Sequence, residues 1–226
     1  MTVNSALSTC VVAGEQLVLL AEKAIWWERE STLIITDVHV GKAAHFRKNG
    51  IALPKRANDD NLWRLSVLLQ QWQPKTLIVL GDLVHSRLNA EWTDFVEMMR
   101  MFPSTSLILV QGNHDVLEEE SWNELPMHVV ATHVQEPFLF CHDPSEITTG
   151  EGYVLSGHIH PSVRLRGGAR QKLVLPCFWF GSRVGVLPSF GYFTGHYCIT
   201  PAAGDEVFVV ADSSVLRVSD KIDLAK

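Results

Sequence analysis

The sequence predicts a single α/β domain in which a parallel or mixed sheet packs beside a second sheet. Three observations predict it. The 226 residues suffice for one well-buried core and are few for two. Apolar runs alternate with helical stripes through the first half and give way to short apolar runs in the second. Five of the apolar runs end abruptly in carboxylate, amide or imidazole side chains. In open α/β sheets the ligand crevice lies outside the carboxyl ends of the strands, so five such ends predict one shared rim.

Taken in order, "EQLVLLAEKAIWWE" reads as two short strands and "STLIITD" as a buried third. A helix is expected from Asn58 or Asp59 through Leu62, Leu65, Leu68, Leu69 and Trp72, stopping at Pro74. The next strand is "KTLIVLGD". Asn89 is placed to cap a second helix carrying Trp92, Phe95, Val96 and Met99 on one face, closed before Pro103. "SLILVQGNHD" reads as a strand and the acidic piece after it as a short helix. From Met127 onward strands are expected around "HVVAT", "PFLFCH", "YVLSGH", "KLVLPCFWF", "DEVFVV" and "SVLRVS". Residues 143–152 and 161–172 read as loops. With no repeat, low-complexity tract or Pro/Gly/Ser linker, residues 1–226 form one domain.

Composition is that of a compact globular protein, 46% hydrophobic and 19% charged. A formal charge of −6 argues against a general polyanion binder, yet cations cluster. Residues 42–56 hold Lys42, Arg47, Lys48, Lys55 and Arg56 without an acid, and no Asp or Glu falls between Glu151 and Asp205. There is no secretory leader pattern and no apolar run long enough to cross a bilayer. Four cysteines show neither zinc spacing nor a disulfide framework. A cytoplasmic protein with no membrane partner is expected.

The polar strand ends are Asp37-x-His39, Gly81-Asp82, Gly112-Asn113-His114-Asp115, Cys141-His142 and Gly157-His158-Ile159-His160. Carboxylates and imidazoles are poor core material without partners and good metal ligands. In this order and spacing the set resembles the calcineurin-like metallophosphoesterases over residues 31 to 191. More narrowly, "DVHVGKAAHFRKNGIALP", "GDLVHS", "SGHIHP", "LPCFW" and "LPSFGYFTG" resemble the bacterial ligase-associated DNA damage response endonucleases, the PdeM group.

The resemblance implies a four-layer α-β-β-α sandwich, two packed mixed β-sheets flanked by helices. It implies two divalent ions, with Mn²⁺ the first choice and Fe²⁺ or Zn²⁺ the others. One ion would be held by Asp37, His39, Asp82 and His160 and the second by Asp82, Asn113, His142 and His158, with Asp82 bridging. His114 would stabilise the transition state or protonate the leaving oxygen, oriented by Asp115. The narrower group implies a nuclease in DNA repair, with DNA as substrate and repair proteins as partners.

The chemistry asks for these residue types. Phosphoester hydrolysis needs a nucleophile at neutral pH, charge stabilisation on the phosphoryl oxygens and a proton for the leaving group. Two ions bridged by a carboxylate meet the first two needs, by in-line attack of metal-bound hydroxide. His114 suits the third. Lys42 and Arg47 stand close enough in sequence to the Asp37 motif to face a phosphate. His85 occupies a position where many broader family members carry Asp, and reads as substrate-facing or supporting. His45, His128, His133 and His196 read as surface or core histidines. A phosphatase or a small-molecule phosphodiesterase, acting on cyclic nucleotides or nucleotide sugars, uses the same ligands and is the alternative. A dead-site protein-binding scaffold is disfavoured because every ligand and the proton donor are present. A barrel amidohydrolase is disfavoured by the Asp-first pair, the GNHD motif and the brevity of the chain.

Overall fold

The structure, a computed structural model, describes residues 8–42, 56–85, 90–115, 124–147, 152–166, 172–192 and 194–218. Strands β1 (Ser8–Val12), β2 (Glu15–Leu20), β3 (Ala24–Trp27) and β4 (Thr32–Ile35) run as an antiparallel meander. From β4 the pairing turns parallel through β5 (Thr76–Leu80), β6 (Ser106–Val110) and β7 (Met127–Val130), giving a seven-stranded sheet in sequence order.

Parallel neighbours require crossovers, and two are helical. Helix α1 (Arg56–Trp72) joins β4 to β5, and α2 (Ala90–Arg100) joins β5 to β6. Helix α1 begins two residues before the expected Asn58 and ends at Trp72, ahead of Pro74. Asn89, Arg47 and the acidic stretch 116–123 lie outside the described residues.

The period of two sorts the strand residues. Leu33, Ile35, Leu77, Val79, Leu107 and Leu109 face Leu65, Leu68, Leu69, Trp92, Phe95 and Met99 of the helices in one core. Ile34, Ile78 and Val110 point the other way, into a core shared with Phe138, Phe140, Leu155, Phe178, Phe180 and Phe208.

Those phenylalanines belong to a nine-stranded mixed sheet, ordered β14-β11-β12-β13-β10-β9-β8 with β15 and β16 added on β12. Its strands are β8 (His133–Gln135), β9 (Phe138–Phe140), β10 (Tyr153–Ser156), β11 (Pro161–Arg166), β12 (Lys172–Phe180), β13 (Val184–Val186), β14 (Tyr197–Cys198), β15 (Glu206–Ala211) and β16 (Ser214–Arg217). The two sheets pack face to face with α1 and α2 outside the first. Among the described residues the layer outside the second sheet is one 3₁₀ turn, Pro144–Glu146, with Ile147 packed on Leu139, Cys141 and Val154.

Two expected loops are therefore structured. Residues 161–166 are strand β11, paired antiparallel with β12. Its two arginines make "PSVRLR" read as a solvated loop, yet Val163 is fully buried while Arg164 faces solvent. Pro144–Glu146 forms because Asp143 caps the turn, its carboxylate accepting from Ser145 N at 2.8 Å. Strand β1 was not expected either; it pairs along all five residues with β2. No helix among the described residues is long and apolar enough to cross a membrane.

Candidate metal centre

Strands β4, β5 and β6 are parallel neighbours in the first sheet, and β9 and β10 are parallel neighbours in the second. Their carboxyl ends carry the five polar motifs, which meet at one edge between the sheets. Asp37, His39 and His160 offer ligand atoms within 4.8 Å of one another, and so do Asp37, Asp82 and His142. Asp37 is thus common to both groups, while the two Asp82 oxygens lie 3.8 Å from His39 Nε2 and 3.5 Å from His142 Nε2.

Neighbouring groups aim these atoms. The Asp37 Oδ2 atom accepts from the Thr36 hydroxyl at 2.7 Å and from His158 N at 3.2 Å, leaving Oδ1 without a hydrogen bond. Asp82 Oδ1 accepts from His114 N at 2.9 Å. His142 donates from Nδ1 to the Leu80 carbonyl at 2.9 Å, and His160 from Nδ1 to that of Gly195 at 2.9 Å. In a neutral imidazole this leaves Nε2 as a bare lone pair.

Those lone pairs face acceptors. His142 Nε2 lies 3.1 Å from Asn113 Oδ1, and His160 Nε2 lies 3.1 Å from Asp37 Oδ1 without being hydrogen-bonded. The Asp37 and Asp82 carboxylates, within 4.8 Å of each other, repel by roughly 3 kcal/mol at an effective dielectric of about 20. Acceptors converging on acceptors inside a buried site suit divalent cations, and a donor set of carboxylate, amide oxygen and imidazole suits borderline ions.

Electrostatics favour ligand forms at His39 and Asp37 and a proton at His160. Burial, with Lys42 adding to it, pushes His39 down to about 2, so its imidazole is neutral. Burial raises the Asp37 carboxyl, but His160, His142 and Thr36 together outweigh it and the net is below the usual range. Burial lowers His160, but Asp37 and the Gly195 carbonyl more than restore it, so a proton on Nε2 and a cation compete for the same contact with Asp37.

The backbone is shaped around the same atoms. Asp37, His39, Asp82, His158 and His160 all have positive φ, between 49° and 72°, a region costing a non-glycine residue roughly 1 kcal/mol or more. His158 and His160 therefore occupy a turn after β10, not a strand, and they diverge. His160 joins Asp37 and His39, whereas His158 Nδ1 lies 3.1 Å from His142 Nε2. Gly157 is required by close approach, since a Cβ there would run into the Thr36 hydroxyl and the Asp37 carboxylate.

His114 stands at the rim, 44% exposed, with Nε2 4.0 Å from Asp82 Oδ2. His85 stacks on it at 5.4 Å and meets His39 edge-on at 5.4 Å. The Asp115 carboxylate takes another path than the expected partnership with the His114 ring. It is fully buried and accepts from Val84 N at 3.0 Å and Gly112 N at 2.9 Å, so it fixes the loop that carries His114. Lys42 is partly buried; burial lowers its ammonium, and the charges of Asp37 and Asp82 offset part of that.

A sequence model of the calcineurin-like phosphoesterases matches residues 31–164, more than half of the chain. The chain belongs to the calcineurin-like phosphoesterases. It is a hydrolase of phosphoric ester bonds, and this family works with divalent metals. Among solved structures it is similar to the nuclease MPE of Pseudomonas putida, with 33% identity, a TM-score of 0.80, and coverage of 93% of this chain and 99% of that one. The Escherichia coli phosphoesterase Yfce aligns at 16% identity and a TM-score of 0.45, over 81% of this chain and 95% of that one. No curated protein matches.

The roles of two supporting groups of this phosphoesterase do not follow from the sequence, although one lies within the LPSFGYFTG segment. Asp143 places Oδ2 3.6 Å from His158 Nε2; its position next to His142 was the available clue. The loop after β13 grips the Asp37 backbone through Phe190 N to Thr36 O at 2.8 Å, Gly191 N to Asp37 O at 3.0 Å and the Ser189 hydroxyl to Asp37 O at 3.0 Å. Arg64 of α1 braces that loop by donating to the Phe190 carbonyl and stacking 4.1 Å from the Phe190 ring centroid.

Proposed function

We propose that the chain is a dinuclear metal-dependent phosphodiesterase acting on nucleic acid, a nuclease serving DNA repair. The observation that carries the two-ion reading is Asp82, whose oxygens face the histidines of opposite groups, His39 and His142. Similarity to a nuclease over almost the whole chain supports the substrate class.

One ion would sit among Asp37, His39, Asp82 and His160 and the other among Asp82, Asn113, His142 and His158, with Mn²⁺ the first candidate. Bound there, the ions supply positive charge for the phosphoryl oxygens and acidify water. The chain's own groups do the rest. Asp82 holds the spacing, and Asp37, buried and doubly hydrogen-bonded through Oδ2, keeps Oδ1 turned inward. His114, exposed at the rim and carried by a loop tied to Asp115 and Asp82, delivers a proton to the departing oxygen. Lys42, which feels the charge of Asp37 and Asp82, faces the phosphate, and His85 steadies the His114 ring. The reaction inverts configuration at phosphorus; retention with a chiral-phosphorus substrate would exclude direct in-line attack.

The test is a substrate panel with Mn²⁺: bis-p-nitrophenyl phosphate, p-nitrophenyl phosphate, cyclic nucleotides, and single- and double-stranded DNA. Diester and DNA cleavage is expected, with His114→Ala lowering kcat by roughly 10²-fold or more at unchanged metal content. Hydrolysis of monoesters alone would replace this reading with a phosphatase.

A further inference from the structure

A second cavity, about 200 Å³, opens directly behind His160. His160 belongs both to this cavity and to the metal-ligand group. The His160 ring presents Nε2 to Asp37 and donates from Nδ1 to the Gly195 carbonyl, and Thr194, Gly195 and His196 form the cavity wall. Pro161, Val174 and Pro176 make an apolar floor, and Lys23, from the turn between β2 and β3, stands at the margin.

The charge of Lys23 is poorly compensated. No acid lines the cavity, and no carboxylate pairs with Lys23 among the described residues. Its ammonium lies 5.8 Å over the Tyr192 ring, which also takes the Arg64 guanidinium at 4.5 Å. Burial, with Arg64 adding to it, lowers the Lys23 amine to about 8. Arg64 opposes the Lys23 charge, and an anion entering the cavity that Lys23 lines would offset it.

We propose that this cavity is the subsite for the nucleotide next to the scissile phosphodiester, with its phosphate held by Lys23 and its sugar and base resting on Pro161, Val174 and Pro176. The inference rests on the nucleic-acid reading above and deepens it. A cation beside an apolar floor suits a nucleotide better than inorganic phosphate or an alkyl ester.

The experiment compares kcat/KM for a short single-stranded oligodeoxynucleotide with that for bis-p-nitrophenyl phosphate, which has no flanking nucleotide. Wild type, Lys23→Met and Lys23→Arg are assayed with Mn²⁺. Lys23→Met is expected to lower the oligonucleotide-to-diester ratio about ten-fold, the loss of one charge-assisted contact, while Lys23→Arg keeps it within about two-fold. An unchanged ratio in Lys23→Met, or an equal fall in Lys23→Arg, overturns the subsite while oligonucleotide cleavage by the wild type upholds the nuclease reading. A wild type that hydrolyses the small diester but neither cleaves nor is inhibited by the oligonucleotide overturns both.

Discussion

At the scale of single residues, the site is built from conformations that proteins usually avoid. Five candidate ligands at positive φ persist because neighbours over-determine them: His39 N donates to Asp82 O at 2.9 Å, Asp37 N to Gly81 O at 3.0 Å and Gly157 N to His142 O at 3.1 Å. Gly157→Ala should therefore break the centre. Its new methyl displaces Thr36 and Asp37, and a loss of both Mn²⁺ content and diesterase activity is expected by metal analysis and assay; full metal content would show that the turn can yield. Lys23 supplies a pH signature. Its amine titrates at about 8 in the fold against 10.5 for a free lysine, so between those values the unfolded chain holds a proton that the folded chain lacks. Stability from this group rises with pH over that window. Lys23→Met should exceed wild type by on the order of 1–3 kcal/mol near pH 7, with the advantage shrinking from pH 8 to 10 in urea melts. A pH-independent difference would contradict the burial of that charge.

At the scale of elements, the loop following β13 links helix and ligand strand. Arg64 and Asn61 on α1 reach it together. Asn61 Oδ1 accepts from Tyr192 N at 3.2 Å and from Arg64 at 3.4 Å, while Arg64 also binds the Phe190 carbonyl. Through Phe190 and Gly191 this brace ends on the backbone of Thr36 and Asp37. Arg64→Met is expected to cost roughly 1–3 kcal/mol, the range for a hydrogen bond to a charged group, and to weaken Mn²⁺ retention during dialysis. Arg64→Lys should not restore it, because an ammonium cannot bind a carbonyl and stack on two rings at once. Normal Mn²⁺ retention in Arg64→Met would confine the brace to stability. Strand β11 teaches a related lesson. Its arginines gave "PSVRLR" the look of a loop, and pairing with β12 decided otherwise.

At the scale of the whole molecule, two sheets meet through Trp27, Phe138, Phe140 and Phe178 and hold the two halves of the centre in register. Asp37, Asp82 and Asn113 come from the first sheet, His142, His158 and His160 from the second. Ions that bind this junction bind only the folded protein, so they stabilise it by about 2.7 kcal/mol at a hundred-fold excess over Kd. For a chain of this size that is roughly 5–10 °C in Tm. Chelation should lower Tm and Mn²⁺ restore it; an unmoved Tm would show that the sheets do not share the ions.

The sequence by itself determined the strand ends, the order of the motifs and the donor chemistry at the rim. These are local properties: an apolar run and the polar group closing it are covalently joined, so the strand carries its own ligand. The resemblance read from the sequence already sets His160 with Asp37 and His158 with His142; only the tertiary structure decided that Asp115 serves a loop, that Arg64 braces the Asp37 backbone, and that a cavity lies against His160. The reason is physical. Strands buried on both faces are apolar throughout, so their pattern does not say which face meets the helices and which the other sheet, and contacts between distant residues follow from that packing.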